Sequence, residues 1–155
     1  MNYEELLMLS DQAGLITKEK DLQAYDGRIF GNRVAIRRTI ETQRQKACVL
    51  AEELGHYYTS SGNILSQDTV EARKQEGRAR EWAFDLQIGL DGIISASRAG
   101  CMTEYDAADY LNVTVDFFHA CITRYRQRYG AYTRYRDYTI IFEPFIRVLE
   151  NGESA

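Results

Sequence analysis

The stretch LAEELGHYYTSSGNI, Leu50 to Ile64, holds residue types at a spacing suited to chemistry. Residues four apart on a helix project from one face, so Glu52 and His56 can share a metal ion. Glu53, next to them, stands where a general base acts on water. This is the zinc-peptidase pattern His-Glu-x-x-His with Glu52 in place of the first histidine. A third ligand must come from another element, and Glu76 offers one. It lies three residues before Ala79 and seven before Ala83, on the extension of an apolar helical stripe, where an unpartnered carboxylate is costly. Gly55, one residue before the histidine, lets another element approach closely. The same residues also read as a charged helix face, with Glu76 paired to Lys74, Arg78 or Arg80.

Two long helices must position these groups. Thr42 and Gln45 fit a capping box and predict a helix to about Ser60. Ala47, Leu50, Leu54 and Tyr58 line one side of it, and Glu52 and His56 lie roughly opposite. A second helix is predicted from near Asp68 to about Ile88, with Ala79, Trp82, Ala83 and Leu86 as its apolar stripe. Upstream, residues 3–24 predict one or two short helices that bury Leu6, Leu7, Leu15, Ile16 and Leu22. Gly31-Asn32 is a hairpin signal. After it Val34 and Ile36 alternate with Arg33, Ala35 and Arg37, as a half-buried strand does. Shorter helices are predicted at 92–98, 103–111 and 115–129, with Thr103 and Thr114 as N-caps and Gly130 as a stop. YTIIF, 138–142, reads as a last strand.

A chain of 155 residues, 45% hydrophobic and 27% charged, is globular and suits one domain. The expected division is 1–155 as a single domain: 1–90 carries the hairpin and the metal-site helices, and 91–155 a helical pair and the final strand. No apolar run approaches the ~18 residues of a membrane span, and the acidic N-terminus does not read as a secretory signal. Three cysteines without CxxC spacing point to reduced thiols and a cytoplasmic location. A net charge of −4 argues against direct nucleic-acid binding by the molecule as a whole.

KACVLAEELGHYYTSSGNI together with KQEGRAREWAFDLQIGLDG resembles the ImmA/IrrE family of metallopeptidases, in a branch frequent in prophages and integrated elements of Gram-positive bacteria. The resemblance extends over most of the chain, through AYDGRIFGNRVAI before the active-site helix and AADYLNVTVDFFHACITRYRQRYG after it. It implies an α+β fold: a mostly helical, zincin-like domain with a small antiparallel sheet and a C-terminal helical part. It also implies Glu53 as catalytic base, His56 and Glu76 as metal ligands, and Glu52 in the place of the family's usual histidine. Two carboxylate ligands would weaken the ion's pull on bound water and tilt preference from zinc toward manganese or iron. The implied function is that of a phage or mobile-element endopeptidase acting on a helix-turn-helix transcriptional repressor. Substrate backbone is expected to add to the hairpin edge at Val34–Arg37. The alternative is a non-catalytic repressor- or partner-binding protein with a vestigial metal site.

Residues 103–127 have the look of a helix-turn-helix, read as packing or protein docking. A recognition helix would expose Asp116 to phosphate before it offered Arg124, Arg126 and Arg128. The run RYRQRYGAYTRYR, 124–136, mixes arginine and tyrosine as interfaces and single-strand binders do, although a mixed core and surface segment accounts for it as well. His119 reads as a packed or surface histidine.

Overall fold

The computed structural model describes residues 1–60 and 69–152. The protein is α+β, with six helices and two three-stranded sheets among the described residues. The chain forms two compact units, Met1–Gln87 and Ile88–Ala155.

In the first unit, α1 (Tyr3–Gln12) is opened by a capping box. Asn2 Oδ1 accepts from Glu5 N at 2.9 Å, and Glu5 returns a carboxylate oxygen to Asn2 N at 2.7 Å. Of the one or two short helices expected over residues 3–24 one forms, and a strand follows it, β1 (Ile16–Lys20). Gly14 at φ 78° ends the helical stretch, and ITKEK alternates with period two. Ile16 is accordingly 48% exposed, whereas Leu7 and Leu22 are half-buried. Leu6 and Leu15 are in the core as expected.

Strands β2 (Gly27–Phe30) and β3 (Arg33–Arg37) form the expected hairpin, in which Gly31 alone of the turn pair takes positive φ. The sheet order is β1-β3-β2. β1 runs parallel to β3, with Ile16 opposite Arg33 and Lys20 opposite Arg37, and β2 runs antiparallel to it. The sheet is therefore mixed rather than antiparallel. β3 is its centre, so Val34–Arg37 has no free edge for a substrate; among the described residues β2 has one. Val34, Ile36 and Ile29 point inward and are buried, and β2 and β3 pack on α2 (Gln43–Thr59).

Thr42 Oγ1 caps α2 by accepting from Gln45 N at 3.1 Å. Ala47, Leu50 and Leu54 are fully buried, but Tyr58 is exposed and stacks on Trp82 with ring centroids 4.9 Å apart. Lys46, buried beneath the sheet, is neutralised by Glu19 of β1 at 2.8 Å. The expected start of the next helix at Asp68 lies outside the described residues, as does Ser61–Ile64. Helix α3 (Val70–Gln87) packs along α2, with Ala79 and Ala83 fully buried. A Cβ on Gly55 would run into the Ala79 carbonyl, so that glycine sets how closely the two helices cross.

In the second unit, α4 (Gly89–Arg98) precedes α5 (Glu104–Tyr110) and α6 (Val115–Tyr129), which pack as a pair. Thr103 and Thr114 cap α5 and α6, Ala107 and Ala108 are buried, and Asn112 turns the chain at φ 56°. The strand expected last, at 138–142, is β5 (Tyr138–Ile141). It lies between β4 (Tyr132–Tyr135) and β6 (Arg147–Glu150) in an antiparallel sheet. The arginine–tyrosine run is divided between α6, the Gly130 turn and β4, with Tyr125 fully buried and Tyr132 exposed. His119 is exposed, its Nδ1 3.0 Å from Glu104 Oε2. Among the described residues no helix is long and apolar enough to cross a membrane.

Candidate functional site

A cleft of about 540 Å³ in the first unit is lined by Tyr25 to Ile29 at β2, by Glu52, Glu53 and His56 of α2, and by Glu76 of α3. The structure thus brings all four candidate residues to one cavity. Their surroundings differ, and so does what each is able to do.

Glu53 is buried between α2 and β2. Burial pushes its carboxyl up to about 7; the neighbouring carboxylates of Glu52 and Glu76 add to the rise, and His56 opposes it. Gly27 is the reason Glu53 fits. A Cβ there would stand 2.8 Å from Glu53 Oε1 and 2.7 Å from Val49 Cγ1, so β2 can lie over the carboxyl only as bare backbone. A Gly27→Ala protein is expected to lose ~1–3 kcal/mol to overpacking and to displace Glu53. Denaturant unfolding, together with the pH dependence of that stability, checks this; wild-type values for both would place β2 farther from α2.

His56 Nε2 stands 3.1 Å from Glu76 Oε2. Their hydrogen bond raises the histidine above its usual range, against the opposing effect of burial, and holds the Glu76 carboxyl below its own. The Gly55–Ala79 crossing produces this meeting, because it sets α2 and α3 together one residue from His56 and three from Glu76. Two donors about 2.0–2.2 Å from one tetrahedral ion stand roughly 3.3–3.5 Å apart, so this pair fits a shared ion with little movement. Glu76 is not on a buried stripe as the spacing implied: its side chain is 55% exposed, and the stripe begins at Ala79.

Glu52 lines the same cleft but takes a different partner. Its Oε1 makes a loose ion pair with Arg80 Nε at 3.6 Å. Burial raises its carboxyl, and Arg80 partly offsets the effect. Among the described residues no three ligand-type side chains converge as a ready metal set. Glu52 joins the other two only by leaving Arg80.

Compared with protein-family models, curated proteins and solved structures, the chain matches none.

Two further participants escape a reading by motif alone. Gly27 carries a signal, since a glycine inside a strand marks a close backbone approach. Arg80 is named by the sequence only as a partner for Glu76, and it pairs instead with Glu52.

Proposed function

We propose that the protein is a metal-dependent endopeptidase-like protein. The motif resemblance supports a helix-turn-helix repressor of a phage or mobile element as its substrate. The observation that carries the reading is Glu53: a carboxyl held near neutrality on the wall of an open cleft, beside a histidine–carboxylate pair and under the β2 edge, which is unpaired among the described residues. A proton acceptor works best when its pKa lies near the operating pH. Glu53 would take a proton from the attacking water and hand it to the departing amide nitrogen. His56 Nε2 and Glu76 Oε2 would hold a divalent ion, zinc or, with so carboxylate-rich a set, manganese or iron. Such an ion supplies Lewis-acid chemistry when bound.

The substrate strand would pair with β2. Arg37 N donates to Asp26 O at 2.7 Å. With Arg28 and Phe30 facing β3 in the same alternation, the backbone groups of Gly27 and Ile29 are left on the open side. That edge borders the cleft beside Glu53.

The Glu52–Arg80 pair favours a second reading, a non-catalytic partner-binding protein with a vestigial metal site. Elemental analysis of untagged protein, purified without chelator and then supplied with zinc and manganese, separates the two. The enzyme reading expects near-stoichiometric metal in wild type and none in His56→Ala or Glu76→Ala. It also expects Arg80→Met, which frees Glu52, to bind metal roughly tenfold tighter. A wild type without metal makes the binding-protein reading the better one.

A further inference from the structure

The outer face of the first sheet is rich in cationic side chains. By register, its rows across β1, β3 and β2 are Ile16–Arg33–Phe30, then Lys18–Ala35–Arg28, then Lys20–Arg37. Five of these side chains are cationic and none is acidic, in a chain whose net charge is −4. Arg37 is neutralised by Asp26 at 3.4 Å, and Arg28 lies over the Tyr25 ring. The side chains of Lys18, Lys20 and Arg33 make no hydrogen bond or ion pair among the described residues. Like charges on neighbouring positions of one sheet face repel, and among the described residues no acid pairs with Lys18, Lys20 or Arg33.

The face is also indented. Small Ala35 sits at the middle of the central row, between Lys18 and Arg28. Around it lies a groove of about 290 Å³ with Ile16, Leu22 and Phe30 among its walls. Phe30 is 82% exposed. An apolar hollow ringed by unneutralised cations is complementary to an apolar side chain flanked by carboxylates.

We propose that this face is a docking site for an acidic segment of a partner protein that seats one apolar side chain over Ala35. A single-stranded nucleic acid suits it less well. Base stacking calls for several aromatic platforms, and Phe30 is the aromatic side chain of these rows, with Ile16 and Ala35 aliphatic. Arg28 lines both this groove and the Glu53 cleft, so a segment seated here continues toward that cleft. The proposal concerns binding and holds whether or not the cleft is catalytic.

The test is fluorescence anisotropy with a short labelled peptide, one leucine flanked on both sides by glutamates, titrated with the full chain. Its counterpart with lysines, and an oligothymidylate of similar length, serve as competing probes. The glutamate peptide is expected to bind and the lysine peptide not. Affinity is expected to fall at least about tenfold in Lys18→Glu/Arg33→Glu and in Phe30→Ser. All three positions are exposed, and unchanged thermal unfolding verifies that the variants fold. Absence of peptide binding, or binding indifferent to both variants, overturns the proposal. So does an oligothymidylate that binds more tightly than the peptide and is weakened by the same substitutions.

Discussion

Glu53→Gln is expected to gain stability on wild type as pH rises from 5 to 8, in metal-free protein, and to lose cleavage of any partner. The folded-state carboxyl is raised from 4.5 to about 7, so the folded protein holds its proton more firmly than the unfolded chain does. The stabilisation this provides is complete below about pH 4.5 and is lost as pH rises through about 7. Above that, a buried carboxylate opposes folding. At about 1.4 kcal/mol per pH unit, the span amounts to roughly 3 kcal/mol. Glutamine keeps the shape and removes the charge. Denaturant unfolding of both proteins in chelator, at pH 5 and pH 8, gives the comparison. The pH-dependent part of the difference is the decisive quantity, because any constant effect of the amide cancels. Equal pH dependence in the two proteins would mean that Glu53 ionises as in water.

The same substitution bears on catalysis. General acid–base groups contribute typically about 10²–10⁴-fold in rate, so cleavage is expected to fall by that much while partner binding is kept. A variant that is more stable, still binds and no longer cleaves identifies Glu53 as a group whose placement is unfavourable for folding and useful for reaction. A variant that leaves partner inactivation intact favours the non-catalytic reading, in which the cleft is a binding surface.

Much of this site follows from helical period alone. Glu52, Glu53 and His56 sit on α2 as their spacing requires, and the Thr42 cap is a local signal. Thr103 and Thr114 locate α5 and α6 for the same reason. What sequence reading misplaces depends on distant partners. ITKEK carries one apolar residue, and its strand forms by pairing with β3 across the intervening β2. Without it β3 looks like an edge, whereas β1 and β2 flank it on both sides. The β4–β5 hairpin turns at Arg136 with φ 53°, a conformation that arginine seldom takes, so no Gly or Asn marks it. Glu76 reaches the cleft from the side of an exposed helix turn, which a stripe of alanines does not reveal. Which partner Glu52 takes is decided by where α3 lies against α2, and Arg80 is one cation among several on that helix.

That crossing makes Gly55 the most sensitive small residue of the site. Gly55→Ala is expected to cost more than the ~1–3 kcal/mol typical of overpacking, because the added methyl meets backbone, not a side chain that can swing away. Its Cβ would stand 2.8 Å from the Ala79 carbonyl carbon, with the carbonyl oxygen closer still. Relief requires α2 and α3 to part, and parting them draws His56 from Glu76. Two readouts should therefore move together: a lower unfolding midpoint, and loss of the raised His56 titration followed by NMR of its ring protons. The Gly77→Ala protein is the control, since a Cβ there meets nothing within 4 Å and the helix gains propensity. It should be at least as stable as wild type with His56 unchanged. If Gly55→Ala behaved like Gly77→Ala, the helices would not touch at Ala79, and the histidine–glutamate pair would have to be held by something other than their crossing.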